Sequence, residues 1–149
     1  MKRILLITFT ALWIFFIFYN SLKPAVDSAK DSSIIVNIID NILEKVNIKI
    51  EKQQLSFLVR KAAHMFEFFV LFILVYYLIN NFNCEIFTSY LLSLGCALFI
   101  AFVDEGIQYF VEGRASSIVD VGVDFLGALV GWLLLFIINL KKWKSTLNN

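Results

Sequence analysis

The sequence predicts an all-α integral membrane protein, a bundle of four transmembrane helices with an amphipathic helix between the first and the second. Hydrophobic residues make up 60% of the 149 residues, and the mean hydropathy is +0.79. Soluble domains are typically about 45–50% apolar. Four long apolar runs each approach the ~20 residues that cross the hydrocarbon layer of a bilayer. These runs are continuous rather than alternating, which favours helices over a β-barrel.

The chain length is that of a single domain covering residues 1–149. We expect the four spans at approximately residues 4–22, 62–80, 86–110 and 118–140. Basic residues such as Lys2 and Arg3 also precede the apolar part of signal peptides, but no A-x-A-like cleavage site follows the first span. We therefore expect this span to be retained as a membrane anchor.

Apolar residues with helical spacing occupy the segment between spans one and two: Ile35, Ile38, Ile39, Ile42 and Val46. Polar residues separate them, which predicts an amphipathic helix lying on the membrane surface. A helix packed on the bundle is the alternative. Asp31, Ser32 or Ser33 would cap its start. The following stretch VNIKIEK, residues 46–52, alternates with a period of two and predicts a short strand.

Basic residues at both ends of the chain indicate its orientation. Lys2 and Arg3 precede span one, and KKWK, residues 141–144, follows span four. An even number of spans places both termini on one side, and basic flanks favour the cytoplasmic side. The segment after span one is also rich in lysine, so the prediction depends mainly on the flanks of the first span. We expect a multi-pass cell-membrane protein with cytoplasmic termini and an extracytoplasmic amphipathic helix.

In this topology, polar residues of spans two, three and four gather near one membrane face, whichever way the chain is inserted. Arg60, His64 and Glu67 are spaced i, i+4, i+7 and share one helix face. The predicted polar site comprises Lys61, His64, Glu67, Asp104, Glu105, Gln108, Arg114, Asp120 and Asp124. Arg60, Lys61 and Arg114 are the residues expected to bind a phosphate or carboxylate of a ligand.

Acids outnumber bases in this region, with five carboxylates against the three basic residues. A carboxylate at the centre of a span costs ~2.5–3.5 kcal/mol, so the excess requires protons, a cation or water. Ion pairs that lock the helices together are the alternative explanation. Gly127 and Gly131 form a GxxxG motif on the face of Asp124, which predicts close approach of another helix. Ser116 and Ser117 are expected to cap span four rather than to act as nucleophiles.

Two stretches resemble the VanZ-like family of small bacterial membrane proteins: RKAAHMFEF, residues 60–68, and DEGIQYFVEGRASSIVDVGVDFLGALVG, residues 104–131. The long motif matches the family pattern at Asp104, Glu105, Gln108, Gly113, Arg114, Ser117, Asp120, Asp124, Gly127 and Gly131. Ser21 and Pro24 match a further feature of the family at the end of span one. Ile107 stands where many members have His, which weakens a metal site with two imidazoles. Glu112 stands where many have Pro.

The resemblance implies a role at the outer face of the cell envelope, because the family is named after a protein associated with teicoplanin resistance. The implied function is glycopeptide tolerance through binding or modifying a surface lipid-linked component or the antibiotic. The expected partners are membrane lipid and either a lipid-linked cell-wall precursor or the lipoglycopeptide itself. A net charge of +1 offers no electrostatic basis for nucleic-acid binding.

Two other functions stay open at this point. One is an intramembrane enzyme acting on a lipid-phosphate or glycolipid headgroup, in which His64 and the carboxylates perform acid–base chemistry or bind a divalent cation. Mostly oxygen ligands would suit Mg²⁺, Mn²⁺ or Ca²⁺ better than zinc. The other is a small exporter, although the acids here lie near one face rather than at mid-span. The sequence identifies neither a catalytic residue nor a definite cofactor.

Overall fold

The computed structural model describes the backbone of residues 2–147 and the side chains of residues 3–140. It contains five helices: α1 Lys2–Ser21, α2 Ala25–Lys45, α3 Lys52–Asn80, α4 Ile86–Tyr109 and α5 Ile118–Leu147. Of these, α1, α3, α4 and α5 are long and apolar enough to cross a membrane. The predicted all-α class with four spanning helices is confirmed. The side chains of Lys2 and of KKWK, on which the predicted orientation depends, lie outside the described residues.

Helix α3 begins ten residues before the predicted start of span two. The polar stretch before residue 62 contains no Pro or Gly that would break a helix, and Leu55 is buried there. The 29 residues of α3 give a rod of about 44 Å at 1.5 Å per residue. This exceeds the ~30 Å hydrocarbon layer, so α3 is longer than a crossing requires.

Helix α2 confirms the predicted helix but starts earlier than expected. Asp31, Ser32 and Ser33 lie inside it, so the predicted caps are wrong; the N-cap is Pro24, without a side-chain capping bond. Proline suits a helix start because its φ is preset and its absent N–H would have no intrahelical partner there. The apolar side chains of α2 are largely exposed, as expected of a helix whose apolar face meets lipid.

The predicted strand at residues 46–52 is wrong, because the backbone forms a turn followed by an extended connection. Asn47 adopts a left-handed φ of 58°. The Asn47 N–H donates to the Glu44 carbonyl at 3.1 Å, and the Ile48 N–H donates to the Leu43 carbonyl at 2.9 Å. This pair of bonds is a Schellman motif, which terminates α2. The alternation in sequence reflects a helix end rather than a strand.

Helices α3 and α5 pack closely along the GxxxG motif, as predicted. A Cβ atom added to Gly127 would lie 2.8 Å from the Met65 carbonyl carbon and 2.9 Å from its Cα. A Cβ added to Gly131 would lie 3.0 Å from the Phe69 carbonyl oxygen. The two glycines therefore let the backbones approach closer than any side chain would allow. Helix α3 is central to the bundle and contacts each of the other helices.

The two ends of the bundle contain different sets of polar residues. At one end, Tyr76 and Tyr90 stack with ring centroids 4.8 Å apart, and the Asn139 amide donates to both hydroxyls, at 2.9 and 2.7 Å. An apolar core that includes Phe68 and Leu71 fills the middle. At the other end lie the buried polar residues Ser21, Glu67, Asp104, Glu105, Gln108 and Asp124. This second end holds the candidate site.

Candidate functional site

The candidate site lies where the ends of α1 and α4 meet the start of α5, against the first half of α3. The up-and-down order of the spans brings these segments to one end of the bundle. All nine residues of the predicted polar site lie in this region, so their predicted convergence is a feature of the structure. The sequence predicted contributions from three spans, whereas the structure adds a fourth, α1, through the polar residues at its end.

Two adjoining cavities occupy this end of the bundle, and both are lined by Arg60, His64 and Arg114. The first has a volume of about 210 Å³, enough for several water molecules. Its other polar lining residues are Lys61, Glu105, Gln108, Asp120 and Asp124. The second, of about 250 Å³, lies between α1, α2 and α3 and reaches Glu67. Helix α2 thus forms one wall of the site.

Asp104 lies beneath the cavities rather than on their surface. Its side chain is fully buried, with no exposed area. The Ser21 hydroxyl donates to one carboxylate oxygen at 2.5 Å, and the Gln108 amide donates to the other at 2.8 Å. Because both donors come from packed helices, they hold the carboxylate in one orientation. The predicted i, i+4 proximity of Asp104 and Gln108 is thus a hydrogen bond.

Arg114 connects two loops that are distant in sequence. It follows Gly113, whose φ of 72° is one that glycine adopts readily. The guanidinium donates to the backbone carbonyls of Asn20, at 3.1 Å, and Lys23, at 3.2 Å. Burial lowers the pKa of Arg114 from its ordinary value, yet an arginine stays charged in proteins. Arg114 therefore stabilises the α1–α2 corner as well as lining the pocket.

Three further predicted residues also make structural contacts. Lys61 and Asp120 form an ion pair between α3 and α5. The Glu105 carboxylate accepts a hydrogen bond from the Ser117 backbone N–H at 2.9 Å, which anchors the loop before α5. Ser117 accepts a hydrogen bond from the Val119 N–H at 3.2 Å through its hydroxyl. This is the N-cap predicted for span four.

Four polar atoms around the cavities are buried and have no hydrogen-bond partner among the described residues. They are Arg60 Nε, His64 Nδ1, Glu67 Oε2 and Asp124 Oδ2. His64 Nδ1 and Glu67 Oε2 lie 3.5 Å apart, close enough for electrostatic attraction without hydrogen-bond geometry. Buried polar atoms are generally satisfied in native proteins. These four groups are therefore available to contact water, a ligand or an ion.

His64, Asp104 and Asp124 form a cluster of possible metal ligands. Each offers one nitrogen or oxygen atom within 4.8 Å of those of the other two. Asp104 and Asp124 are buried, and His64 is partly buried. The three residues come from α3, α4 and α5, so the cluster forms only when the bundle is assembled. Spacing along the sequence placed them on three separate spans but could not show that they meet.

The contribution of α1 was largely missed from the sequence. The Asn20 side-chain amide donates to Glu67 Oε1 at 2.7 Å, and the Trp13 indole donates to the Glu67 carbonyl at 2.9 Å. The Ser21 hydroxyl reaches Asp104. The resemblance included Ser21, so a signal for one of these residues was present. No charge or spacing pattern distinguishes Asn20 or Trp13 from other residues at the end of a span.

The fold and the site together define a multi-pass helical membrane protein with a buried, mixed-charge pocket at one end of its bundle. Most polar residues of the first cavity lie in the two stretches that carry the family resemblance, and α1 and α2 supply further residues to the second. The family model for VanZ/LLP1 matches residues 6–139, and the chain belongs to this family. Neither the curated proteins nor the solved structures contain a match to the chain.

Proposed function

We propose that this VanZ/LLP1 protein acts at the outer face of the cell envelope by binding an anionic headgroup in its polar pocket. The headgroup is the phosphate or carboxylate of a lipid-linked cell-wall component or of a lipoglycopeptide such as teicoplanin. Binding or modifying such a molecule near the membrane would raise tolerance to glycopeptide antibiotics. Both termini are then cytoplasmic, and the pocket faces outward.

The observation that carries this proposal is that the Arg60 guanidinium has a buried nitrogen without a hydrogen-bond partner among residues 3–140. Among the three basic residues expected to bind a ligand, Lys61 is paired with Asp120 and Arg114 donates to backbone carbonyls. Arg60 lines both cavities, and its buried Nε has no partner among residues 3–140. A planar guanidinium suits bidentate contact with phosphate or carboxylate. Arg60 is therefore the basic group most available to an anion.

The surroundings of the pocket suit an amphiphile. Phe57 and Ile35 lie on the cavity linings, and Ile34, Ile38 and Ile42 are exposed along α2. In a membrane these side chains contact acyl chains, since an apolar helix face lying at the interface is buried among lipids. A ligand with its headgroup beside Arg60 would have its lipid tail among these isoleucines.

Binding measurements test the proposal directly. The purified chain in nanodiscs is titrated with teicoplanin and with an undecaprenyl-linked precursor, and Arg60→Gln is compared with Lys30→Gln. Lys30 is an exposed residue of α2 and serves as the control for loss of one positive charge. Loss of a hydrogen bond to a charged group, about 1.5–3 kcal/mol, predicts roughly 10- to 150-fold weaker binding for Arg60→Gln alone. No saturable binding of either ligand by folded protein would overturn the proposal.

Orientation has a separate test that uses the free cysteines. Cys84 lies in the α3–α4 connection, at the end of the bundle opposite to the pocket. A membrane-impermeant maleimide applied to intact cells should leave native Cys84 unlabelled. It should label Glu112→Cys in a chain that also carries Cys84→Ser, because Glu112 lies in the exposed α4–α5 loop. The reverse pattern would place the pocket on the cytoplasmic side.

A second candidate function is an intramembrane enzyme acting on a lipid-phosphate or glycolipid headgroup. The observation that favours it is the proximity of His64 to the carboxylates of Asp104 and Asp124, since such a group can transfer protons. Incubating the protein with radiolabelled lipid-linked precursor distinguishes the two candidates. Multiple turnovers that are lost in Asp124→Asn would favour the enzyme, and recovery of unchanged ligand would favour binding alone.

A further inference from the structure

We infer that His64, Asp104 and Asp124 form a binding site for one divalent transition-metal ion at the base of the pocket. The ion class expected is that of Mn²⁺ or Zn²⁺. This inference goes beyond the proposed binding of an anionic headgroup, because it assigns a cation site to a histidine and two carboxylates rather than to the basic residues. The argument starts from the donor atoms and their distances.

The three donors are close enough to converge on one ion. One atom from each lies within 4.8 Å of those of the others. Ligands about 2.1 Å from a tetrahedral metal lie about 3.4 Å apart, so modest side-chain rotation would complete the site. The donors come from three packed helices, α3, α4 and α5.

Asp124 supplies an independent indication that the site takes a ligand. Its side chain is 2% exposed, and Oδ2 has no hydrogen-bond partner among the described residues. An unpaired carboxylate in an apolar environment is strongly unfavourable. Glu67, which is 7% exposed, likewise leaves Oε2 unpartnered, 3.5 Å from His64 Nδ1. Two buried carboxylates near one imidazole thus each keep an oxygen without a hydrogen-bond partner.

Hydrogen bonds to Asp104 resemble those that orient metal ligands. Its two oxygens accept from Ser21 and Gln108, and each oxygen keeps a lone pair for a cation. Such outer partners hold ligating carboxylates in place in metal sites. The surrounding charge agrees, because the five carboxylates of the region exceed its basic residues by two. One divalent cation would balance that excess.

The donor types select the class of metal. An imidazole together with carboxylates suits Mn²⁺, Zn²⁺ or Fe²⁺ better than Mg²⁺ or Ca²⁺, which prefer oxygen ligands alone. The expectation from the sequence counted His64 among a larger set of carboxylates. In the structure the cluster joins His64 to two carboxylates, because Asp120 is paired with Lys61, so nitrogen has a larger share of the donors.

The test is metal binding by the full chain in nanodiscs, prepared without chelator and dialysed against Mn²⁺ or Zn²⁺. Bound metal is measured by inductively coupled plasma mass spectrometry. Affinity is measured by isothermal titration calorimetry and, for Mn²⁺, by electron paramagnetic resonance. We expect about one ion per chain. Asp124→Asn and His64→Asn should each weaken binding at least tenfold. Asp27→Asn is the control because this exposed α2 residue makes the same chemical change away from the pocket.

Circular dichroism of each variant establishes that it is folded, and the wild-type titration stands if one variant fails to fold. No saturable Mn²⁺ or Zn²⁺ binding by folded wild-type chain would overturn the inference. Binding that is unchanged in both Asp124→Asn and His64→Asn would do the same. A chain that binds teicoplanin or the lipid-linked precursor but no ion would refute the metal site alone. A chain that binds the ion but neither ligand would refute the proposed function alone.

Discussion

Replacing Gly127 by alanine tests the helix contact that assembles the pocket. The added Cβ would lie 2.8 Å from the Met65 carbonyl carbon, whereas ordinary carbon contacts are about 3.5–4.0 Å. The Met65 carbonyl oxygen would lie closer still. Helix α5 must therefore move more than about 0.7 Å away from α3, because the obstacle is backbone and cannot rotate aside. Overpacking of this kind costs about 1–3 kcal/mol, which lowers the folding equilibrium constant about 5- to 140-fold.

Gly122→Ala is the matched control on the same helix. A Cβ there meets nothing within 4 Å, so alanine should be neutral or stabilise the helix by about 0.4–1 kcal/mol. Both variants and the wild type are unfolded reversibly in bicelles by titration with sodium dodecyl sulfate. Gly127→Ala should unfold at a lower detergent fraction and, because Asp124 lies one turn away, should also bind pocket ligands more weakly. Equal unfolding midpoints for Gly127→Ala and the control would refute the close-packing argument.

Three other substitutions separate the roles of polar residues. Asp104→Asn places an amide where Gln108 now donates and removes a charge, so teicoplanin tolerance should be lost while the amount of protein in isolated membranes stays unchanged. Arg114→Ala removes bonds from a charged donor to the α1–α2 corner and should cost about 1.5–3 kcal/mol, with faster hydrogen exchange at residues 20–25 and lost tolerance. Asn139→Leu, at the opposite end, loses two membrane hydrogen bonds of about 0.6 kcal/mol each, so thermal stability should fall while ligand binding stays the same.

The spans and their polar faces were predictable because they depend on length and periodicity. The four apolar runs could only be membrane helices, and their alternating direction brought Glu67, Asp104 and Asp124 to one end. Helix boundaries were less predictable. Residues 52–61 are polar enough to look like a loop, yet they continue α3 because nothing in them breaks a helix. Pro24 begins α2 although three better capping residues follow it.

The different structural roles of the site residues could not be predicted from the sequence. Glu105 and Asp120 belong to the same motif as Asp124 and carry the same charge, and Arg114 lies between them in the sequence. Their difference arises from tertiary contacts with a backbone N–H, with backbone carbonyls and with Lys61. Such contacts depend on distances between helices that no spacing rule supplies. The contact of Asn20 with Glu67 could not be predicted for the same reason.

The pocket walls differ in how they are joined to the rest of the molecule. Helices α3, α4 and α5 are packed together around the site, whereas α2 meets α3 and touches the α4–α5 loop, where the Ala25 N–H donates to the Glu112 carbonyl at 3.4 Å. We expect the pocket to select ligands by the size of the headgroup and not by the length of the lipid tail. The packed helices limit the size of the ligand's polar headgroup, while its hydrocarbon chain extends past α2 into the bilayer. Lipids that share one headgroup would then bind this protein equally well, even if their hydrocarbon chains differ greatly.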